Sequence, residues 1–335
     1  MPDPIVSVLL PAFDAEQTLP AALASLQRQR ESRWECVIVD DGSRDETLAI
    51  ARRKAQSDPR FRLLERPHRG IVASLNDGLE ACRAPRIARM DADDWMHRDR
   101  LALQVAALDA DPKLAAVGCR VRIFPRAALS DGRRSYESWL NAIETPAEVR
   151  RESFVECPIA HPTLMLRREV LAPLGFRDVG WPEDYDLLLR LLAAGESLAV
   201  VPRRLLGWRD TPGRLSRTHA SYGLDRFTLC KAAFLATGLL SRDDEYLLWG
   251  YGDTGRKLRR ALLGHGKRPS HIVELHPGRI GQRIHGAPVI EPEALEGLPG
   301  RPLIASVSGL EARTLIRKAL TRLGRREGTD YVCAA

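Results

Sequence analysis

The stretch that decides the fold reads Ile87-Ala88-Arg89-Met90-Asp91-Ala92-Asp93-Asp94. Its first half is a short apolar run typical of a buried strand, and its second half places three carboxylates within four residues at the end of that strand. Such carboxylates repel one another unless a cation lies among them. Oxygen ligands of this kind suit a hard ion such as Mg²⁺ or Mn²⁺. Taken alone, these residues favour equally a metal site and an acidic turn that caps the next helix.

Two strands upstream end in a comparable way. Ile5–Leu10 is typical of a buried strand stopped by Pro11, and Cys36–Val39 is a second buried strand that runs into Asp40-Asp41-Gly42-Ser43. Ser43 and Glu46 form a capping-box pattern, which predicts that a helix starts there. The alternation of strands and helices predicts an α/β fold with a mostly parallel sheet flanked by helices. Ligands bind outside the carboxyl ends of such strands, so we expect these carboxylates to converge on one crevice.

Composition sets broader limits. The chain has 335 residues, 44% of them hydrophobic and 28% charged, as in an ordinary globular protein with room for two domains. Its six cysteines are scattered without a C-x-x-C pair, which indicates reduced thiols in a cytoplasmic protein. A net charge of +7 favours anionic partners and allows peripheral contact with a membrane. The basic residues are dispersed and lack interleaved aromatics, so nucleic-acid binding is not expected.

Several motifs in order resemble glycosyltransferase family 2, whose catalytic domain has the GT-A fold. The segments that carry the resemblance are Ser7–Phe13, Val37–Ser43 with Thr47, Met90–Asp94, His161-Pro162-Thr163 with Met165–Arg168, and Trp181–Leu187 with Arg190. The resemblance extends from about Ile5 to His219. It implies a nucleotide-sugar donor and a transfer reaction.

The resemblance also assigns donor-binding roles. Pro11 and Phe13 would border the nucleotide base, and Asp41 would hydrogen-bond it, which favours a pyrimidine such as that of a UDP-sugar and leaves dTDP and GDP open. Asp91 and Asp93 would form the family's Asp-x-Asp motif with Asp94 beside it. These three would bind Mn²⁺ or Mg²⁺, which bridges the two donor phosphates. On the loop before Gly70, Arg66 and Arg69 are ordinary loop arginines or help to neutralise phosphate.

A second set of residues would act on the acceptor. Asp184 fits the family's catalytic base at the entry to a helix over Tyr185–Ala194, and its neighbour Glu183 is the second choice. Without the resemblance, a helix cap at Asp184 or Asp186 is a competing but less favoured interpretation. Attack opposite the diphosphate would invert the anomeric configuration. Arg209 and Ser216 resemble a motif that closes the family's domain. For His161 and His219 a structural role is favoured over a place in the lining of the site.

The C-terminal part has a different pattern. A strand over Tyr246–Trp249 leads into a G-x-G-x-x-G loop and a helix, and a second strand ends in Glu274, at the spacing of a ribose-binding acid. Gly250, Gly252, Gly255 and Glu274 are therefore the nucleotide-binding candidates of a small Rossmann-like domain. The segment Gly281–Ile290 resembles the module that precedes some sugar acyltransferase domains. A packing module and a nucleotide or nucleotide-sugar binder are equally favoured.

The sequence thus predicts a glycosyltransferase domain at residues 1–240 and a Rossmann-like domain at residues 245–335. The leading hypothesis is a metal-dependent inverting transferase that uses a UDP-sugar. Its acceptor would be a saccharide or lipid-linked saccharide in surface polysaccharide or glycoconjugate synthesis. The alternative is a non-catalytic nucleotide-sugar sensor. Glycoside hydrolysis also uses paired carboxylates, but it explains neither the metal-type cluster nor the position of Asp41.

Overall fold

The computed structural model describes residues 3–298 and 300–335, and this part of the chain divides into two compact units. The N-terminal unit comprises the chain up to Val149, Ile159–Val179 and Asp186–Arg214. The C-terminal unit comprises Arg150–Pro158, Gly180–Tyr185 and Leu215–Ala335. Each has its own sheet and hydrophobic core.

The elements up to residue 209 alternate as the sequence pattern predicts. The strands are β1 (Val6–Ala12), β2 (Trp34–Asp40), β3 (Phe61–Glu65), β4 (Arg86–Arg89), β5 (Trp95–Met96), β6 (Leu114–Phe124), β7 (Met165–Arg167) and β8 (Ser197–Arg209). The helices are α1 (Leu19–Gln27), α2 (Thr47–Ser57), α3 (Ile71–Ala81), α4 (Arg100–Ala110), α5 (Asp131–Leu140), α6 (Pro146–Glu152), α7 (Arg168–Leu174) and α8 (Glu183–Ala193).

The first sheet positions the carboxylates. Within the described residues its strand order is β3-β2-β1-β4-β7-β6-β8-β5. The strands β3, β2, β1 and β4 are parallel, and β7 is antiparallel to both of its neighbours. Ala12 at the end of β1 is in register with Asp40 at the end of β2, and Leu9 is in register with Arg89 of β4. The loops after these strands therefore start at one edge, and the predicted α/β fold is confirmed.

The packing of α3 fixes one side of that edge. Every residue of β1 and β2 is buried, so the sheet presents apolar side chains to the helices. A Cβ atom at Gly78 would lie 2.3 Å from the Leu9 side chain and 2.8 Å from that of Val39. Any larger residue at this position would push α3 away from the sheet. The glycine at this position therefore lets α3 pack closely on β1 and β2.

Three local predictions are wrong. Pro11 lies inside β1 instead of stopping it, because the ladder with β4 ends at Leu9 and the missing N–H of Pro11 is not needed there. The capping box does not form, since α2 begins only at Thr47, whose N–H is bound by the Asp45 carboxylate. Helix α8 begins at Glu183, two residues before the predicted start.

The C-terminal unit is built on a second sheet. Its elements are α9 (Leu215–Thr218), α10 (Leu224–Thr237), β9 (Glu245–Trp249), α11 (Asp253–Leu263), β10 (Arg268–Val273), β11 (Arg283–Ile284), β12 (Ala287–Ile290), β13 (Leu303–Ala305), α12 (Leu310–Arg322) and β14 (Tyr331–Cys333). In the described residues the strand order is β11-β12-β10-β9-β13-β14, with all pairs parallel except β11 and β12.

Helix α10 belongs to this unit. Its buried Leu235 packs in one core with Leu248 of β9, so α10 covers a face of the second sheet. The sequence analysis had placed this helix in the first domain, with the division at residues 240–245. None of the helices in the described part of the chain combines the length and the apolar character needed to cross a membrane.

Candidate active site

The acidic turn after β4 gathers its carboxylates into one cluster. Asp91, Asp93 and Asp94 each have a carboxylate oxygen within 4.8 Å of the others. Asp94 is almost fully buried, and its Oδ1 accepts a 2.7 Å hydrogen bond from the backbone N–H of Arg209. Its Oδ2 is also buried and has no hydrogen-bond partner among the described residues. The three side chains face a common point rather than capping the next helix.

Arginines surround this aspartate cluster. Most of these arginines were not predicted from the sequence. Arg89 of β4 is buried and donates a 2.6 Å hydrogen bond to Asp91 Oδ1. Arg100 of α4 is fully buried and donates to the carbonyl of Arg89 at 2.8 Å. Arg209 donates through Nε to the carbonyl of Asp93 at 2.8 Å. Arg214 forms ion pairs with Asp91 and Asp93. The signals in the sequence were Arg89, a charged residue inside the apolar run of β4, and Arg209, which was named in a motif of the resemblance.

The balance of charge differs among the three acids. Burial raises the pKa of Asp91, but Arg89 and Arg214 outweigh burial, so its pKa lies below the ordinary value. Burial and then the charge of Asp91 raise the pKa of Asp93 to about 6. Burial and then the charges of Asp91 and Asp93 raise the pKa of Asp94 well above its ordinary value. The three carboxylates are crowded and partly desolvated, and Asp94 Oδ2 has no hydrogen-bond partner among the described residues. Such a set of oxygen ligands fits a hard divalent cation.

Asp41 has a role that the sequence did not indicate. Its carboxylate is buried and accepts hydrogen bonds from the backbone N–H groups of Arg69 at 3.0 Å and Gly70 at 2.9 Å. Gly70 is the N-cap of α3, so Asp41, 29 residues away in sequence, holds the loop that leads into this helix. Ser43 was expected to cap the helix after β2, but its Oγ accepts the backbone N–H of Asp14. Asp41 therefore holds the loop beside the predicted base site.

An aromatic pair lies at the same place. Phe13 stacks on His68 with ring centroids 4.3 Å apart, and His68 Nδ1 is 2.8 Å from Asp41 Oδ2. Phe13 is 39% exposed, which is unusual for a phenylalanine and leaves a ring face accessible to a planar group. Pro11 is buried in β1 behind it. Phe13 and Asp41 were predicted from the sequence to lie at the base site, whereas His68 was not.

The loop arginines are engaged with an acid of α3. Arg69 pairs with Asp77, and Arg66 Nε is 3.5 Å from the same carboxylate. Both arginines are partly exposed, so these pairs contribute little to stability. His161 is buried against Phe176, and burial followed by the charge of Arg89 lowers its pKa to about 3. Both effects disfavour the protonated ring, and the structural role of His161 stays a prediction.

The residues predicted to act on the acceptor, Glu183 and Asp184, belong to the C-terminal unit. Glu183 and Asp184 lie in the first turn of α8, and the Asp184 carboxylate accepts the N–H of Tyr185 at 2.7 Å. Glu183 is buried and accepts a 2.6 Å hydrogen bond from the hydroxyl of Tyr222, a residue that the sequence analysis did not select. Burial and then the charge of Glu183 raise the pKa of Asp184 to about 8. Asp184 is thus a carboxyl whose proton affinity suits general acid–base chemistry near neutral pH.

Other residues of the resemblance are structural. Asp186 is fully buried in the N-terminal unit and pairs with Arg177 and Arg190 at 2.6 and 2.7 Å. The remaining N–H groups of Arg190 bind the carbonyls of Leu174 and Gly175. This network ties α8 to the end of α7. The side chain of Ser216, which was named together with Arg209, lies outside the described part of the chain.

The glycine loop of the C-terminal unit connects β9 to α11 as predicted. Gly250 has φ +91°, and a Cβ atom at Gly255 would lie 2.3 Å from the carbonyl oxygen of Gly250, so the loop packs directly on the helix. Gly252 has open space around its Cα. Glu274 accepts the backbone N–H of Tyr251 at 2.9 Å and pairs with Arg279. These candidates meet around one loop, and their ligand binding stays a prediction.

Comparison with known proteins gives the same assignment as the motifs. Residues 7–175, just over half of the chain, match the family model described as Glycosyl transferase family 2. The putative glycosyltransferase EpsE of Bacillus subtilis is 29% identical over 232 residues, which cover 68% of this chain and 80% of EpsE. The O-antigen biosynthesis protein RfbC of Myxococcus xanthus is 30% identical over 230 residues, which cover 67% of this chain and 17% of RfbC.

Solved structures share the fold. TarS (1-349) from S. aureus, in complex with UDP-GlcNAc, has a TM-score of 0.56 at 17% identity and covers 78% of this chain and 72% of its own. The mannosyltransferase PcManGT from Pyrobaculum calidifontis, in complex with GDP-Man and Mn²⁺, has a TM-score of 0.53 at 20% identity, covering 97% of this chain and 81% of its own. At these identities the likeness establishes a GT-A fold. Together with the match to the family model, this leads to one conclusion: the chain belongs to glycosyl transferase family 2.

Proposed function

We propose that this glycosyltransferase moves a sugar from a UDP-sugar to a hydroxyl group of a saccharide or lipid-linked saccharide, with inversion at the anomeric carbon. The observation that carries the proposal is the aspartate cluster, in which Asp94 Oδ2 is buried without a partner among the described residues. The name of the O-antigen relative supports surface polysaccharide as the product class. Donors in the related structures, UDP-GlcNAc and GDP-Man, support a nucleotide-sugar.

The donor would be held at the edge formed by β1, β2 and β4. Phe13, stacked on His68, offers a flat surface for the base, and Asp41 fixes the loop beside it. Asp91, Asp93 and Asp94 would hold Mn²⁺ or Mg²⁺. When bound, the ion would stabilise the negative charge that develops on the leaving diphosphate. Arg209 and Arg89 keep these carboxylates oriented through their hydrogen bonds to the turn.

Asp184 would serve as the general base. As the acceptor oxygen forms its bond to the anomeric carbon, the bond to the diphosphate breaks and the hydroxyl proton passes to the Asp184 carboxylate. Its raised pKa, about 8, gives the carboxylate a stronger affinity for that proton than an ordinary aspartate has. Glu183, held by Tyr222, raises this affinity through its negative charge.

The test is donor turnover with purified protein. A thermal-shift screen of UDP-, GDP- and dTDP-sugars with Mn²⁺ selects the donor, and release of the nucleoside diphosphate is then measured with candidate acceptors. EDTA, Asp93→Ala and Asp184→Asn should each reduce turnover by two orders of magnitude or more, on the scale of roughly 10²–10⁴ for general acid–base groups. Asp178→Asn, an exposed aspartate, is the matched control and should leave turnover unchanged.

Two results would refute parts of this proposal. Full turnover in Asp184→Asn would remove Asp184 as the base. Tight binding of a nucleotide-sugar with no transfer and no donor hydrolysis over long incubation would instead make the protein a nucleotide-sugar sensor. Analysis of the product's anomeric configuration by NMR would decide between inversion and retention.

A further inference from the structure

Arg214 occupies the opening of the aspartate cluster. Its Nη2 is 3.5 Å from Asp91 Oδ2, and its Nε is 3.7 Å from Asp93 Oδ2. The side chain is 10% exposed, and its guanidinium lies over the Trp208 ring, 5.2 Å from the centroid. One cation thus faces one oxygen of each of two carboxylates to which the proposed function assigns a divalent ion.

Arg89 and Arg214 contact the carboxylates of the cluster at different distances. Arg89 donates a short charge-assisted hydrogen bond of 2.6 Å to Asp91 Oδ1, the oxygen that Arg214 does not face. Both distances from Arg214 are longer than the roughly 2.7–2.9 Å of such bonds. Arg214 also ends a turn, in which Pro212 and Gly213 are exposed. The contacts of Arg214 with these two carboxylates are therefore weaker than that of Arg89 and easier to exchange for another cation.

We propose that Arg214 is a displaceable counter-cation, which competes with the divalent ion for Asp91 and Asp93 and passes to the donor diphosphate when the ion binds. This inference rests on the proposed function. A divalent ion and a guanidinium cannot share two carboxylate oxygens without mutual repulsion. The diphosphate brings the negative charge that can hold both cations. Arg214 would then make metal binding and nucleotide binding mutually dependent.

The chemistry predicts opposite effects on two ligands. Without Arg214, the metal meets no competitor, so its affinity in the absence of nucleotide should rise. The diphosphate loses a cation, so the affinity for nucleotide in the presence of metal should fall. Because coupling is reciprocal, nucleotide should strengthen Mn²⁺ binding in the wild type more than in the variant. A residue that merely stabilises the turn would weaken both ligands when it is removed.

Mn²⁺ binding followed by electron paramagnetic resonance tests the inference without any turnover. Wild type, Arg214→Gln and Arg122→Gln are titrated with Mn²⁺ alone and with UDP or GDP present. Arg122→Gln removes the same charge from an exposed position on β6 and should match the wild type. Arg214→Gln should bind Mn²⁺ alone roughly 10-fold more tightly, the scale on which neighbours of metal ligands act. Its nucleotide affinity at saturating Mn²⁺ should fall about fivefold or more.

The outcomes separate the inference from the proposed function. Equal or weaker Mn²⁺ binding by Arg214→Gln, in a variant whose melting temperature matches the wild type, would overturn the counter-cation role. Weaker binding of both Mn²⁺ and nucleotide would assign Arg214 a structural role instead. If the wild type binds no Mn²⁺ with either nucleotide, the metal assignment in the proposed function fails, and the inference fails with it.

Discussion

The pH dependence of transfer is the sharpest prediction, because it depends on the environment of one carboxyl. Burial and then Glu183 raise the pKa of Asp184 from 3.8 to about 8. A general base works only when it is ionised, and kcat/KM reports the free enzyme, which is the state described above. About a tenth of Asp184 would be ionised at pH 7 and about a hundredth at pH 6. We therefore expect kcat/KM to rise about tenfold per pH unit up to pH 7 and to level off above pH 8 to 9.

The assay measures nucleoside diphosphate release by chromatography at low donor and acceptor concentrations and a fixed Mn²⁺ concentration. Nucleotide affinity measured at the same pH values separates donor binding from proton removal. Glu183→Gln is the informative variant, since it removes the neighbouring charge. The midpoint should move to lower pH but stay above that of an ordinary aspartate, because burial is the larger cause. A profile that is flat from pH 6 to pH 9 would refute this reasoning. Loss of turnover at every pH in Glu183→Gln would identify Glu183 as the base.

Three further predictions follow from the same contacts. Asp184→Asn should be more stable than the wild type in thermal melts, and the difference should widen from pH 5 to pH 8. The fold favours the protonated form of Asp184 up to about pH 8, so the wild type loses stability over this range, whereas asparagine never ionises. Asp41→Ala should lose about 2–4 kcal/mol in urea unfolding, since two backbone N–H groups lose a charged acceptor. The six cysteines are all buried, so Ellman's reagent should label none of them in the native protein and all of them in guanidinium.

Much of the fold was predictable because the pattern of the chain is locally consistent. Apolar runs such as Cys36–Val39 and Tyr331–Cys333 are strands in the structure, and the acids after β2 and β4 lie at one sheet edge. Parallel strands with helical crossovers have few arrangements, so the position of Asp91 relative to Asp41 followed from the order of the elements. Local predictions were wrong where a polar side chain could hydrogen-bond to any of several groups.

The charged shell of the site was not predictable from spacing. Arg214 is 123 residues away in sequence from Asp91, and only the fold brings the two together. Tyr222 reaches Glu183 across 39 residues in the same way. A sequence pattern reports which face of an element is buried, but it does not report which long polar side chain reaches a given carboxylate. The same limit explains why Ser43 does not take its expected capping role and why Asp41 binds the loop before α3.

Asp41 shows why loss of activity alone would be a poor guide to this site. Its carboxylate already accepts two backbone N–H groups at the start of α3, and His68 lies 2.8 Å from it. Four lone-pair positions leave room for one more donor, such as the N–H of a pyrimidine. Removal of the carboxylate would therefore disturb the loop whether or not it touches the base. Asp41→Asn keeps one acceptor oxygen for the loop, so a loss of UDP affinity that exceeds the loss of stability in this variant would indicate direct contact with the base.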